Sequence, residues 1–310
     1  MTNDVSTLRV AMVGYGEVGR IFSAALLQAG VREVKAFDVL ITDAHWAAEA
    51  LRRAARDSIH LANDLSDAVA DADLVICAVT AAATANAASQ IAAVLRSGCF
   101  VLDVNSASPR TRKGCADAVN GAGARYVEAA VMGSVPPHGI RAPMLLGGRH
   151  AQALHPALVR LGFDATVGST DYGVVSAIKL CRSVVIKGME ALAIESLLAA
   201  RRYGVEKEVL DSLKETFPGL DWGKQADYFW RRVVQHGRRR AEEMREAAIT
   251  VADAGGSPHM ASATAEVQSW MATLRKEGAF GAAGNDAGWR ELADAIDGAG
   301  AHHERERKTR

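Results

Sequence analysis

The turn Gly14-Tyr15-Gly16-Glu17-Val18-Gly19 constrains this chain more than any other stretch. It follows a compact apolar run at residues 8–13 and opens a segment of helical spacing at 21–29, which Gly30 closes. A second short strand is expected at 33–37, ending at Asp38. In a G-x-G-x-x-G set between strand and helix, each glycine has a task. The first makes the tight turn, the second lets a pyrophosphate approach the backbone, and the third lets the helix pack on the strand. The start of the helix offers free N–H groups and the positive end of its dipole to the phosphates. Gly14, Tyr15, Gly16, Glu17, Val18 and Gly19 are therefore candidate dinucleotide contacts. An acidic residue about 20 positions on should hold the ribose hydroxyls. Asp38 stands 19 residues after Gly19. A carboxylate there repels a 2′-phosphate and favours NAD over NADP. Arg52, Arg53 and Arg56 on the next helix are cations that could neutralise such a phosphate.

The alternation continues. Residues 59–62, 74–79 (LVICAV), 99–104 (CFVLDV), 126–131, 144–146 and 164–167 read as strands. Helices are predicted at 42–56, from 80 to about 95, and at 109–121 and 151–161. The strands are apolar throughout rather than alternating, as in a mostly parallel sheet covered on both faces. After Gly168 only helices are predicted, at 170–202, 206–214, 221–237, 239–254 and 259–276, then a loop at 278–285. The expected class is α/β: a Rossmann-type, mostly parallel sheet over 1–168 and an all-helical domain over 169–310, joined by a long interdomain helix. Residues 1–7 read as a disordered lead. The last ten residues read as a frayed, solvated tail, with His302 and His303 disordered rather than metal-binding.

The long helix is apolar on nearly every side, which predicts burial. Yet Ser176, Lys179, Arg182, Ser183, Lys187 and Glu190 fall on one side of it, Arg182 at the edge. A polar stripe on a buried helix needs a reason, because an unpaired buried charge is costly. Either the stripe is a ladder of ion pairs that satisfies itself, or it lines a cleft in which Lys179 works.

At 310 residues the chain has room for two cores. Lys plus Arg (36) balances Asp plus Glu (36), so no net field points to nucleic acid or an anionic membrane. Cys77, Cys99, Cys115 and Cys181 form no CxxC, so neither a disulfide framework nor a metal site is expected; three of them sit in apolar runs as inert core thiols. The N-terminus lacks a secretory pattern, and no apolar run nears 18 uncharged residues. A cytoplasmic protein without membrane spans is expected. The basic pairs at 231–232 and 238–240 are followed by Glu242, Glu243 and Glu246 and read as a solvated, ion-paired face.

Two loops follow strand ends, where α/β sheets bind ligands. In Asp103-Val104-Asn105-Ser106-Ala107-Ser108-Pro109, helix capping accounts for one residue and leaves Asn105 and Ser106 to donate to a carboxylate. Gly133-Ser134 suits backbone contact with an anion, and a stiff loop follows in which His138 reads as solvated. Trp222, Phe229, Trp230 and Val233, and Met260, Val267, Trp270, Met271 and Leu274, form broad apolar faces, so a homodimer through the helical domain is expected.

In this order, these pieces resemble the β-hydroxyacid dehydrogenase family, which includes 3-hydroxyisobutyrate and 6-phosphogluconate dehydrogenases. Its dinucleotide motif matches Gly14, Gly16 and Gly19. Its S-T-x-x-P stretch corresponds to Asn105-Ser106-Ala107-Ser108-Pro109, and its G-G segment to Gly133-Ser134, with Met132 where a serine is usual. Its helix G-x-x-x-x-x-K-x-x-N-N corresponds to Gly173 through Ser183 and places the family's catalytic lysine on Lys179. Arg182 and Ser183 replace the two asparagines, and Glu243-Met244 fall where a lysine-aspartate pair is usual; the stretch 236–248 resembles a variant C-terminal domain of the family. The resemblance implies hydride transfer between NAD and a small 3-hydroxyacid. Lys179 would be general base or acid, with Ser106, Gly133, Ser134, Arg182 and Ser183 on the substrate and Thr80 on the nicotinamide ribose. Rival readings are an imine reductase on the same scaffold and a non-catalytic NAD-binding regulator. The substrate's side chain, and decarboxylation after oxidation, stay open.

Overall fold

The computed structural model describes residues 4–281, 283–284 and 286–308, with side chains to residue 299. Eight strands form one sheet in the order β3-β2-β1-β4-β5-β6-β7-β8. They are β1 (Arg9–Val13), β2 (Glu33–Phe37), β3 (His60–Leu61), β4 (Leu74–Cys77), β5 (Phe100–Asp103), β6 (Arg125–Val131), β7 (Met144–Gly147) and β8 (Ala165–Ser169). The first six run parallel, β7 is antiparallel to β6, and β8 is parallel to β7. Helices α1 (Glu17–Gln28), α2 (Ala44–Arg56), α3 (Leu65–Val69), α4 (Thr84–Val94), α5 (Pro109–Gly121), α6 (Val135–His138) and α7 (Ala151–Arg160) fill the connections. Successive strand residues feed two cores. Val10 and Met12 of β1 join Phe22, Leu26 and Ile76 on one face; Ala11 and Val13 join Val75, Ile91 and Val101 on the other. Both faces are dry, which is why the strands read as continuous apolar runs.

Compact packing divides the chain into Met1–Leu180 and Cys181–Arg310. The division falls inside α8 (Val174–Tyr203) rather than at 168. The first turns of α8 belong with the sheet: a Cβ added at Gly168 would stand 2.8 Å from Val175 Cγ1. The second unit holds the rest of α8, α9 (Glu206–Thr216), α10 (Trp222–Asp253), α11 (His259–Lys276) and α12 (Trp289–Lys308). Its core gathers Ile194, Leu197, Trp230, Val233, Met271 and Trp289. Trp230 and Trp289 pack with centroids 6.2 Å apart.

Several expectations are corrected here. Residues 5–7 form a 3-10 turn whose cap, Asp4, accepts from Ser6 N at 2.9 Å, so this part of the lead is ordered by its own side chain. Residues 1–3 lie outside the described residues. The two helices expected at 221–237 and 239–254 are one. Gly237 does not break it; a Cβ there would come within 2.7 Å of Gln268 O, so the glycine serves close packing of α10 on α11. Helix α12 was not foreseen, and its backbone continues through most of the expected tail. The side chains of His302 and His303 lie outside the described residues. Residues 135–138 are a short helix rather than loop, and His138 is exposed, its Nδ1 2.9 Å from Ser134 O. Nor is α8 buried all round: Val185 and Leu192 are 62% and 55% exposed. Conversely Phe229, Trp230, Val233 and Met271, expected to face a second copy, are buried in their own unit, while Met260 and Trp270 stay exposed. No helix among the described residues is long and apolar enough to cross a membrane.

Candidate active site

Because β1, β2, β4, β5 and β6 are parallel, their carboxyl ends share one edge of the sheet. The 14–19 turn, Asp38, Thr80, the 105–108 loop and Gly133-Ser134 each follow one of these ends, so the topology gathers them.

The 14–19 turn fits a dinucleotide on steric grounds. Gly14 has φ +95°, and a Cβ on it would lie 2.4 Å from Ala78 O; one on Gly19 would lie 2.0 Å from Gly14 O. A Cβ on Gly16 would meet nothing within 4 Å, so the space above it is open. Gly16 is also the N-cap of α1 and offers no side chain to its first N–H groups, which leaves them for an anion. Asp38 Oδ2 accepts from Tyr15 N at 2.8 Å and Oδ1 from Leu40 N at 3.0 Å, so the carboxylate is held against the turn with lone pairs to spare. The Tyr15 ring is buried in the core, its hydroxyl without a hydrogen bond, and burial pushes the phenol up. Only its backbone lies in the turn. Glu17 is exposed and Val18 half-buried. Arg53 pairs with Glu49, and Arg56 with Asp57. These arginines and Arg52 lie in the last turns of α2, and Arg53 and Arg56 are near enough to the Tyr15 phenol to oppose its upward shift.

In the 105–108 loop, Ser108 caps α5, accepting from Thr111 N at 3.3 Å. Asn105 is not spare as expected. It is 4% exposed; Oδ1 accepts from Val79 N at 2.7 Å and Nδ2 donates to Cys77 Sγ at 3.4 Å, so it braces the loop to the end of β4. Ser106 and Ser134 are half-buried, and Gly133 and Thr80 are exposed.

The stripe on α8 divides between the two readings. Ser176 is buried near Glu128, Lys179 is half-buried, Ser183 is 7% exposed and Arg182 is exposed. Lys187 and Glu190 form the ion-pair ladder, with partners on α10: Lys187 pairs with Glu243, and Glu190 with Arg240 rather than with Lys187. Arg240, 5% exposed, therefore leaves the solvated face predicted for the basic run. Burial pushes the Lys187 ammonium below its usual range against the pull of Glu243. Lys187→Met should cost about 1–3 kcal/mol in denaturant unfolding, because it strips the nearer cation from the Glu243 carboxylate and leaves Arg239 at 3.8 Å, while Lys187→Met with Glu243→Leu should recover most of the loss. Among the described residues no group of three or more His, Cys, Asp or Glu could hold a metal ion.

Residues 9–166 match the family described as the NAD binding domain of 6-phosphogluconate dehydrogenase. The chain belongs to that family. Residues 200–271 of this 6-phosphogluconate dehydrogenase-like protein match a domain of unknown function, DUF1932. A conserved hypothetical protein of Sinorhizobium meliloti 1021 is 34% identical, with 94% of this chain and 96% of that one covered and a TM-score of 0.70. The conserved protein MTH1747, described as structurally similar to 3-hydroxyacid dehydrogenases, is 30% identical over 87% of this chain and 99% of its own, at TM-score 0.65. The fold also resembles a Mycobacterium tuberculosis 3-hydroxyisobutyrate dehydrogenase solved with L-serine, at 18% identity, 94% and 99% coverage and TM-score 0.63. The N-terminal unit is thus an NAD(P)-binding domain of the 6-phosphogluconate dehydrogenase type.

Sequence reasoning passed over Arg112, Asp103 and Tyr126, which lie buried beneath the 105–108 loop. The available signal was an arginine inside α5 and an aspartate closing an apolar strand.

Proposed function

We propose that this protein is an NAD-dependent dehydrogenase that oxidises the hydroxyl of a small 3-hydroxyacid, or reduces the corresponding carbonyl, with Lys179 as acid–base group. One observation carries the reading: Lys179 is half-buried on α8, within the same compact unit as the nucleotide turn. The resemblance to β-hydroxyacid dehydrogenases also puts their catalytic lysine at this position. NAD, when bound, supplies the hydride acceptor. The neutral amine of Lys179 takes the hydroxyl proton as the alcohol is oxidised, and the ammonium returns it in reduction. Ser106, Ser134 and the backbone of Gly133 hold the substrate carboxylate; Asn105 holds the loop. Ser183, one turn after Lys179 on the same face, is the α8 group suited to a second substrate hydroxyl. The exposed Arg182 is suited to an acidic substituent.

The preference for NAD rests on Asp38. Its carboxylate, fixed by Tyr15 N and Leu40 N, accepts from the ribose hydroxyls and opposes a 2′-phosphate. Titration should show NADH bound tighter than NADPH. Asp38→Ser should weaken NADH roughly 10- to 100-fold, the loss of about 1.5–3 kcal/mol from hydrogen bonds to a charged group. Equal affinity for the two nucleotides in the unaltered protein would remove this role. The catalytic assignment is tested by Lys179→Met, argued below.

A further inference from the structure

The proposed reaction makes no use of a charged cluster in the core of the N-terminal unit. Arg112 and Asp103 are each 1% exposed, and Tyr126 and Glu128 are 0% exposed. Arg112 Nη1 lies 2.6 Å from Asp103 Oδ1 and donates to Tyr126 OH at 3.2 Å. Tyr126 OH donates to Asp103 Oδ2 at 2.8 Å. Arg112 Nη2 donates to the carbonyls of Asn105 and Ala129, and Nε lies 3.9 Å from Glu128 Oε2. Burial, the largest single effect, would make this guanidinium easier to deprotonate, but Asp103, Tyr126 and Glu128 together outweigh it and hold it above its usual range.

Glu128 carries the cluster to α8. Strand register sets Asp103, Glu128 and Gly147 in one row, and Gly147 leaves room for the carboxylate; a Cβ there would lie 2.5 Å from Oε1. Glu128 Oε1 accepts from Gly173 N at 2.9 Å, and the Ser176 hydroxyl lies 3.4 Å from Oε2. Gly173, at φ +93°, presses on the start of α5; a Cβ on it would be 2.9 Å from Pro109 Cβ. Tyr172 OH donates to Tyr126 O at 3.0 Å beside it. One end of the network therefore grips the 105–108 loop and the other the first turn of α8. Ser176 and Lys179, three residues apart, share a face of that helix.

Apolar side chains of equal volume would hold a core at least as well as a buried ion cluster. They could not fasten the backbone of one loop to the N-terminus of one helix. We propose that Arg112 and Glu128 are positioning residues: together they set Lys179 at a fixed distance from Ser106 before any ligand binds. The inference rests on reading Lys179 as the acid–base group. Its energetic sense is preorganisation, since a reacting group already in place needs no ordering at the moment of reaction.

Competitive acetylation with acetic anhydride, read residue by residue by mass spectrometry, tests this without a known substrate. Lys207, with an 80% exposed side chain on α9, serves as reference. Glu128→Gln keeps the shape and an acceptor for Gly173 but removes the charge that faces Arg112. Its Lys179 should label about threefold faster or more relative to Lys207, the size of about half a pKa unit or an equal gain in access. NADH affinity should stay within about twofold. Ser176→Ala should move Lys179 the same way by less. Arg112→Lys, a single point charge where a fork is needed, should resemble Glu128→Gln. If Arg112→Lys does not fold, the other two variants decide. Unchanged Lys179 labelling in folded Glu128→Gln and Ser176→Ala, even with lowered melting temperatures, would show a merely structural cluster and overturn the proposal. Turnover retained by Lys179→Met would remove the acid–base reading without altering these labelling rates, so the two failures are distinguishable.

Discussion

Lys179→Met should lose turnover while keeping its nucleotide. Methionine preserves the apolar stem that packs on α8 and removes only the amine. If that amine carries the proton, kcat falls by roughly 100- to 10,000-fold, the usual weight of a general acid or base. This corresponds to about 3–5 kcal/mol of transition-state stabilisation. NADH affinity should stay within about twofold, because in this reading the 14–19 turn and Asp38, not Lys179, hold the nucleotide. The check is an initial-rate series at saturating NAD beside a fluorescence titration with NADH. Wild-type kcat in the variant would end the assignment of Lys179.

Gly19→Ala should abolish measurable NADH binding and lower stability, whereas Gly16→Ala should weaken binding and leave stability alone. The contrast follows from what each methyl meets. At Gly19 the new Cβ would sit 2.0 Å from Gly14 O and 3.0 Å from Gly14 C, backbone atoms that cannot step aside without opening the turn. Gly14 is itself held in place, its N–H donating to Phe37 O at 2.8 Å. Overpacking of this kind costs about 1–3 kcal/mol, or roughly 2–5 °C of melting temperature for a protein of this size. At Gly16 the methyl meets no protein atom within 4 Å. A loss of NADH affinity there with an unchanged melting curve locates the ligand in that open space. If Gly16→Ala binds NADH like the unaltered protein, the pyrophosphate does not lie over the turn.

Local signals were legible where the chain's own chemistry decides structure. Strand 33–37 and helix 109–121 were read to the residue, the latter because Pro109 starts it and Ser108 caps it. The parallel sheet followed from uninterrupted apolar strands. The 14–19 turn followed from three glycines, two of which the structure shows have no space for a side chain. What was illegible depends on partners distant in sequence. Asn105 looked free because Val79 N, 26 residues back, was invisible as its donor. Glu190 and Lys187 found Arg240 and Glu243 on α10 rather than each other. Gly237 reads as a break until α11 is laid against it. The Arg112–Glu128 cluster exists only once strand register sets Asp103 beside Glu128. Helix α12 is a different case: Trp289, Leu292, Ala293 and Ile296 have helical spacing and were readable.

The account as a whole turns on hydride transfer from an alcohol. Its most direct test is to follow NAD reduction at the nicotinamide absorbance across 3-hydroxyacids, β-hydroxy-amino acids such as L-serine, and sugar acids, with cyclic imines offered alongside NADH. At least one hydroxyacid should reduce NAD in the unaltered protein, and Lys179→Met should abolish that rate. NADH consumption with the imines alone, or NADH bound with no hydroxyacid turned over, would contradict a lysine-driven hydroxyacid dehydrogenase.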